Sequence, residues 1–192
     1  ILPFIVLMLG GILSSTMFVQ PALGYPLVAG ALIAVLWFVW PTLRNLEVSP
    51  DPLALTTGGV VGALWVGLAP VGGTELNESL MALGSIGFSL WVAFRLVGTA
   101  VLVPVVEELF FRGYLLSRLD GTTPWRRLAA LSVSSLAFAL LHGRWFAAGA
   151  AGLAFGLLAL RRNRVTDAMQ AHAVANLVIA LFALERGDWG LI

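Results

Sequence analysis

Residues Val103 to Leu119 read VPVVEELFFRGYLLSRL, and this run decides the fold class of the whole chain. Two adjacent carboxylates, Glu107 and Glu108, and the guanidinium of Arg112 stand inside a stretch that is otherwise apolar enough to enter lipid. Ionisable groups at membrane depth are costly, so each calls for a partner or a function. On a helix Glu108 and Arg112 are i and i+4 with the acid N-terminal, the favourable order for an ion pair. Glu107 projects ~100° away around the same helix and finds no such partner within the segment. One carboxylate is therefore expected to be structurally paired and the other to be free for chemistry.

The rest of the chain agrees with a membrane setting. Of 192 residues, 59% are hydrophobic and only 11% are charged; the mean hydropathy is +0.96. A soluble domain of this size is far more polar. A net charge of +1 supplies no basic surface for nucleic acid. The absence of cysteine excludes disulfides and thiolate metal sites. Apolar runs fall at 2–20, 26–41, 53–70, 90–118, 127–142, 145–160 and 166–184. Several approach the ~20 residues that a bilayer requires of a helix. The expected fold is an all-α, polytopic transmembrane helix bundle with about seven spans, six to eight at the limits. The chain reads as one integral membrane domain, 1–192, with no repeat, low-complexity tract or linker. The opening run lacks a basic n-region and a small-residue cleavage site and reads as a span rather than a signal peptide.

Polar breaks separate the runs. Gln20 to Pro26 is a tight turn, Pro41 to Pro52 a polar loop, and Val71 to Ser79 a loop with acidic but no basic residues. Leu80 to Val92 reads either as an interfacial helix or as an extension of the fourth span. All 11 basic residues are arginine. With seven spans, Arg44, Arg118, Arg126, Arg127, Arg161, Arg162 and Arg164 share one side, Arg144 and Arg186 lie opposite, and Arg95 and Arg112 fall within or near the membrane. The positive-inside rule makes the first side cytoplasmic, with the N-terminus on it. Gly58/Gly62 and Gly152/Gly156 are small pairs four apart that let helices approach closely in lipid; interior packing is the expectation and a dimer face the alternative.

The chain has two histidines. His142 closes the run FALLH, one turn after Phe138, and His172 opens HAVAN, with Asn176 one turn later on the same face. Measured as helical rise, Glu107 stands ~16 Å from Arg118, His142 ~24 Å from Arg126, and His172 and Asn176 ~12 and ~18 Å from Arg164. Helix tilt narrows that spread. Scarce polar groups from three helices thus converge on similar depth. A buried carboxylate beside an imidazole can deprotonate a water, and an imidazole with a side-chain amide can stabilise an oxyanion. The products of such a set are those of hydrolysis. No serine, threonine or cysteine stands beside either histidine in a nucleophile motif. Two glutamates with two histidines can also ligate zinc or another divalent ion, and the sequence leaves that open.

At EELFFR (Glu107–Arg112), FALLH (Phe138–His142) and HAVAN (His172–Asn176) the sequence resembles the CPBP family. This is the CAAX protease and bacteriocin-processing group, also called Abi, which includes the Rce1-type prenyl-protein endopeptidases. The family pattern EExxxR, FxxxH, HxxxN is present in order. Phe111-Arg112-Gly113 and the helix around Gly152 and Gly156 are also similar. The resemblance covers residues 95–184, the expected catalytic core. It implies an intramembrane glutamate-dependent endopeptidase of a prokaryotic cytoplasmic membrane, acting on a membrane-associated peptide or protein. By the resemblance, Glu107 with His142 activates water, and His172 with Asn176 forms the oxyanion hole. Glu108 and Arg112 support the site, and Phe138 packs beneath His142. No cofactor is implied. Competing classes are a non-catalytic membrane immunity or binding protein, a metal-dependent membrane peptidase, and a transporter with Glu107 and the histidines as a proton relay. A peptidase cavity should open laterally or to the cytoplasm, since peptide and water must both enter.

Overall fold

A computed structural model describes residues 1–69 and 75–192, with the backbone alone at Glu75. The described residues are helical with short connections and no strand, the expected all-α bundle. Each of the seven apolar runs falls on a helix. They are α1 (Leu2–Met17), α2 (Tyr25–Phe38), α3 (Pro52–Gly67), α5 (Gly84–Leu119), α6 (Pro124–Ala139), α7 (Trp145–Arg162) and α8 (Val165–Arg186), with the short α4 (Glu75–Met81) before α5. Three stretches, Pro21–Phe38, Gly84–Leu119 and Val165–Arg186, are long and apolar enough to cross a membrane, and α1 and α3 are shorter apolar helices. The chain is an integral membrane protein. The part of the Val71–Ser79 loop before Glu75 lies outside the described residues; from Glu75 the chain is helical, not a loop.

Local chemistry sets the ends. Proline stands in the first turn of α1, α2, α3 and α6, where its missing N–H is one the helix leaves unpaired anyway. Asp51 caps α3 by accepting from the Leu53 N–H at 2.8 Å, and Thr123 caps α6 by accepting from Arg126 N–H at 3.3 Å. Asn163 (φ 53°) and Gly187 (φ 65°) end α7 and α8 in the left-handed conformation that stops a helix.

Of residues 80–92, only those from Gly84 on extend the fourth span; Leu80 and Met81 end α4, and a turn at Ala82 and Leu83 separates the two helices. Helix α5 runs 36 residues without interruption, ~54 Å at α-helical rise against ~30 Å of hydrocarbon. It carries two π-helical segments, Gly98–Leu102 and Leu109–Leu116, on either side of Val103–Glu108. Pro104 stands just beyond the first. A proline inside a helix removes one backbone bond and crowds the preceding turn, and a π-bulge is a common way to absorb the insertion.

Helix α8 is central, packing along α3, α7 and the middle of α5. A Cβ added to Gly62 would stand 2.7 Å from the Ala175 carbonyl oxygen, and one at Gly58 would collide with that of Ala171. The glycine pair on α3 is therefore a seam against α8, as expected for interior packing. At one end of the bundle Asp51 pairs with Arg161 and, at 2.8 Å, with Arg162. Arg164 reaches Glu47 at 3.2 Å and Asp167 at 3.3 Å. The 44–51 loop and the α7–α8 turn are thus held on one side, where the arginine count puts them.

Candidate active site

Glu107, Glu108 and Arg112 project from the middle of α5, and all three are buried. Arg112 Nη1 donates to Glu108 Oε1 at 2.9 Å, the i, i+4 pair that spacing predicts. The same guanidinium donates through Nη2 to the Gly152 carbonyl of α7 at 2.8 Å. A Cβ at Gly152 would meet Arg112, Phe138 and the Ser135 backbone, each at 3.3 Å. The glycine lets the guanidinium reach main chain across the helix interface.

Glu108 has a second task that spacing does not reveal. Its Oε1 also lies 2.9 Å from His172 Nδ1 of α8. A carboxylate oxygen already accepting from Arg112 is an acceptor here too, so Nδ1 carries the proton and Nε2 is the nitrogen turned to the cavity. Nε2 stands 3.9 Å from Glu107 Oε2. That is too long for a hydrogen bond, and Glu107 Oε2 has no hydrogen-bond partner although it is buried. Phe155 stacks on the His172 ring at 5.0 Å, and Phe138 meets it edge-on at 5.6 Å. Two aromatic walls and one carboxylate fix the imidazole.

His142 departs from expectation in its local setting. It does not lie on a helix running to residue 142: α6 ends at Ala139, and His142 sits in the turn beyond. Its N–H bonds to the Ala139 carbonyl at 3.0 Å, an i→i−3 bond that tightens the chain before Gly143. The ring still returns to Phe138. Nδ1 donates to the Phe138 carbonyl at 2.8 Å, and the rings lie 4.4 Å apart. A carbonyl can only accept, so Nδ1 holds the proton and Nε2 keeps its lone pair. Phe138 is the packing residue that the sequence reading makes it.

Asn176, one turn after His172, donates from Nδ2 to the Thr99 carbonyl at 2.8 Å. A side-chain amide has two N–H groups, so one remains available. Glu107, His142, His172 and Asn176 all line one cavity of about 290 Å³, with Phe138 and Phe155 in its wall. The site residues anticipated on three separate helical runs come together in space. Helical rise places Glu107 ~18 Å from the Leu119 end of α5 and His172 ~10 Å from the start of α8. From there the cavity extends toward Trp65, near the far end of α3, and Ile192. It thus reaches away from the arginine-rich end, not toward it. Among the described residues no group of three or more His, Asp or Glu is arranged to hold a metal ion.

A family model described as type II CAAX prenyl endopeptidase Rce1-like matches residues 89–178. This segment is Rce1-like. No curated protein and no solved structure matches the chain. The Rce1-like segment contains the whole polar set, from Glu107 to Asn176. Some of the cavity wall comes from outside it: Tyr25 of α2, Trp65 of α3 and the C-terminal Leu191 and Ile192. Sequence reading did not single out Trp65, Thr99 or Phe155. Trp65 and Phe155 look like any apolar helix residue, and Thr99 acts through its carbonyl, which every residue has.

Proposed function

We propose that this chain is an intramembrane endopeptidase in which Glu107 is the base that turns a water molecule on a peptide carbonyl. The observation that carries the proposal is the buried, unpartnered Oε2 of Glu107 facing a cavity that two histidines and an asparagine also line. A scaffold needs Glu108 and Arg112 to hold α5, α7 and α8 together; Glu108 Oε2 is likewise without a partner, but only Glu107 faces the cavity, which a scaffold does not require. Buried polar atoms without partners are uncommon and expensive, and a site that awaits water or substrate accounts for this one.

Water held between Glu107 and the free Nε2 of His142 loses a proton to Glu107 while its oxygen attacks the carbonyl carbon. The oxyanion accepts from the spare Asn176 N–H and from His172. Because Nδ1 of His172 donates to Glu108, Nε2 is the ring nitrogen that meets the oxyanion, and it donates there when it carries a proton. Collapse breaks the C–N bond, and the proton passes from Glu107 to the departing amine. Acid and amine products balance one water consumed.

Residues 95–184 form the catalytic core in this proposal, and the whole chain acts as one membrane unit. The substrate is a membrane-associated peptide or protein. In this reading the N-terminus faces the cytoplasm, on the arginine-rich side favoured by the positive-inside rule, and the membrane is that of a prokaryotic cell. The test compares membrane-associated peptides, by mass spectrometry, from cells carrying wild-type protein and Glu107→Ala. Fragments that disappear with the variant, and whose uncut precursors accumulate, identify the substrate. Identical peptide profiles from folded, equally abundant proteins would sink the proposal.

A further inference from the structure

Arg95 is the second charged side chain in the cavity wall, and nothing described above uses it. It lies on α5, twelve residues before Glu107, and lines the same cavity as Glu107, His172 and Asn176. Arg112 is paired with Glu108, and Arg161, Arg162 and Arg164 with Asp51, Asp167 and Glu47. Arg95 makes no hydrogen bond and no ion pair to any described residue, and its buried Nε is without a partner. What it has is aromatic support. Its guanidinium carbon stands 4.1 Å from the centre of the Tyr25 ring and 6.0 Å from that of Trp91. Tyr25 is itself pressed against Gly98, where an added Cβ would collide with its hydroxyl. These ring contacts give the guanidinium no hydrogen-bond acceptor, so its paired N–H donors, the groups that grip a carboxylate, are not used by them.

An arginine seated in a cavity without a counter-ion among the described residues awaits an anion from outside. Glu107 does not serve: it is ~18 Å away along the helix, and no ion pair joins the two. An extended peptide covers that span with about five residues. A substrate whose scissile carbonyl sits at Glu107 can therefore lay a carboxylate on Arg95. A side chain snorkelling to lipid headgroups would turn outward, whereas this one faces the interior cavity between α5 and α8.

We propose that Arg95 is a specificity-determining residue that binds a carboxylate of the peptide substrate, either its chain terminus or an acidic side chain. The proposal rests on the peptidase reading for the identity of the ligand as a peptide. Its test reads binding, so that the two can fail separately. Full-length protein carrying Glu107→Gln, in nanodiscs of neutral lipid, is titrated with pooled apolar peptides made in three forms. These are the free C-terminal acid, the C-terminal amide, and the amide with an added aspartate. Fluorescence anisotropy gives each affinity, and wild-type protein is assayed in parallel for cleavage.

The expected result is about tenfold tighter binding of one or both carboxylate-bearing forms over the neutral amide. Adding Arg95→Gln should abolish that preference without changing affinity for the amide. Arg95→Lys, which keeps the charge but loses the paired donors, should retain part of it and guards against misreading a folding defect. Acid against aspartyl amide tells chain terminus from side chain. Equal affinity for all three forms, or a preference that survives Arg95→Gln, overturns the proposal. So does loss of the preference when anionic phospholipid is added, which would assign Arg95 to a headgroup. If the preference holds but wild-type protein cleaves none of the forms, the anion site stands and the peptidase reading falls.

Discussion

His172 Nδ1 lies 2.9 Å from Glu108 Oε1, so the supporting carboxylate of α5 orients the imidazole of α8. The same oxygen accepts from Arg112. Glu108 is thus the joint of a chain running Gly152 carbonyl, Arg112, Glu108, His172, with Glu107 just past the far side of the ring. The adjacent glutamates differ in their surroundings: Glu108 is tied through Oε1 to Arg112 and His172, whereas Glu107 is the one that lines the cavity.

Exchanging each for glutamine should separate them. Removing one member of a buried charged set costs about 3–5 kcal/mol because the partners are left uncompensated. Glu108→Gln should lower the melting temperature in detergent and also cut activity by releasing His172. Glu107→Gln keeps shape and should melt near the wild-type temperature while turnover is lost. A stable but inactive Glu108→Gln beside an active Glu107→Gln would reverse the assignment.

Asn176 tests the oxyanion role. Loss of one donor to a developing oxyanion lowers kcat by about 100- to 1000-fold. Asn176→Ala should show such a loss with little change in KM. An unchanged kcat would leave Asn176 as a tie to the Thr99 carbonyl and nothing more.

The seam between α3 and α8 should be intolerant of added volume. At Gly62 the obstacle to a Cβ is the Ala175 backbone, which cannot swing aside, whereas Gly59 has open space around its would-be Cβ. Gly62→Ala is expected to destabilise by about 1–3 kcal/mol. Gly59→Ala, by the same thermal-melt measurement, should be neutral or slightly stabilising, since alanine is the better helix former. Equal effects at the two positions would mean that the helices do not meet along this seam.

Exhaustive chelation of purified protein should leave cleavage unchanged. The described carboxylates and histidines form no group of three around one point, and the proposed water activation uses Glu107 and His142 alone. Stoichiometric metal whose removal stops cleavage, and whose return restores it, would overturn that expectation.

Much of this protein is legible in one dimension because a membrane restricts the choices. Backbone groups in lipid must be satisfied within a segment, so apolar runs become helices; each of the seven runs does. The Glu108–Arg112 pair is local to one helix, and i, i+4 geometry survives even though π-helical turns carry it. The scarcity of polar residues in the apolar runs marks Glu107, His142, His172 and Asn176 before any contact is known. The π-segments around Pro104, the turn that holds His142 beyond α6, and the long single helix through residues 84–119 depend on packing and were open or unseen. Pattern alone does not say how a neighbouring helix compensates a lost backbone bond.

What only the tertiary structure decided is which groups are already spent. Glu108 holds His172 across 64 residues of sequence, Asn176 gives one hydrogen to Thr99, and Arg95 finds an aromatic seat but no counter-ion among the described residues. Hydrogen bonds and ion pairs between helices depend on axial register and rotation, which a periodic pattern of apolar residues leaves free. Residue types and spacing determine that a carboxylate, two imidazoles and an amide enter the membrane together. The packing of α8 between α3, α5 and α7 determines which of their atoms remain free to meet a substrate.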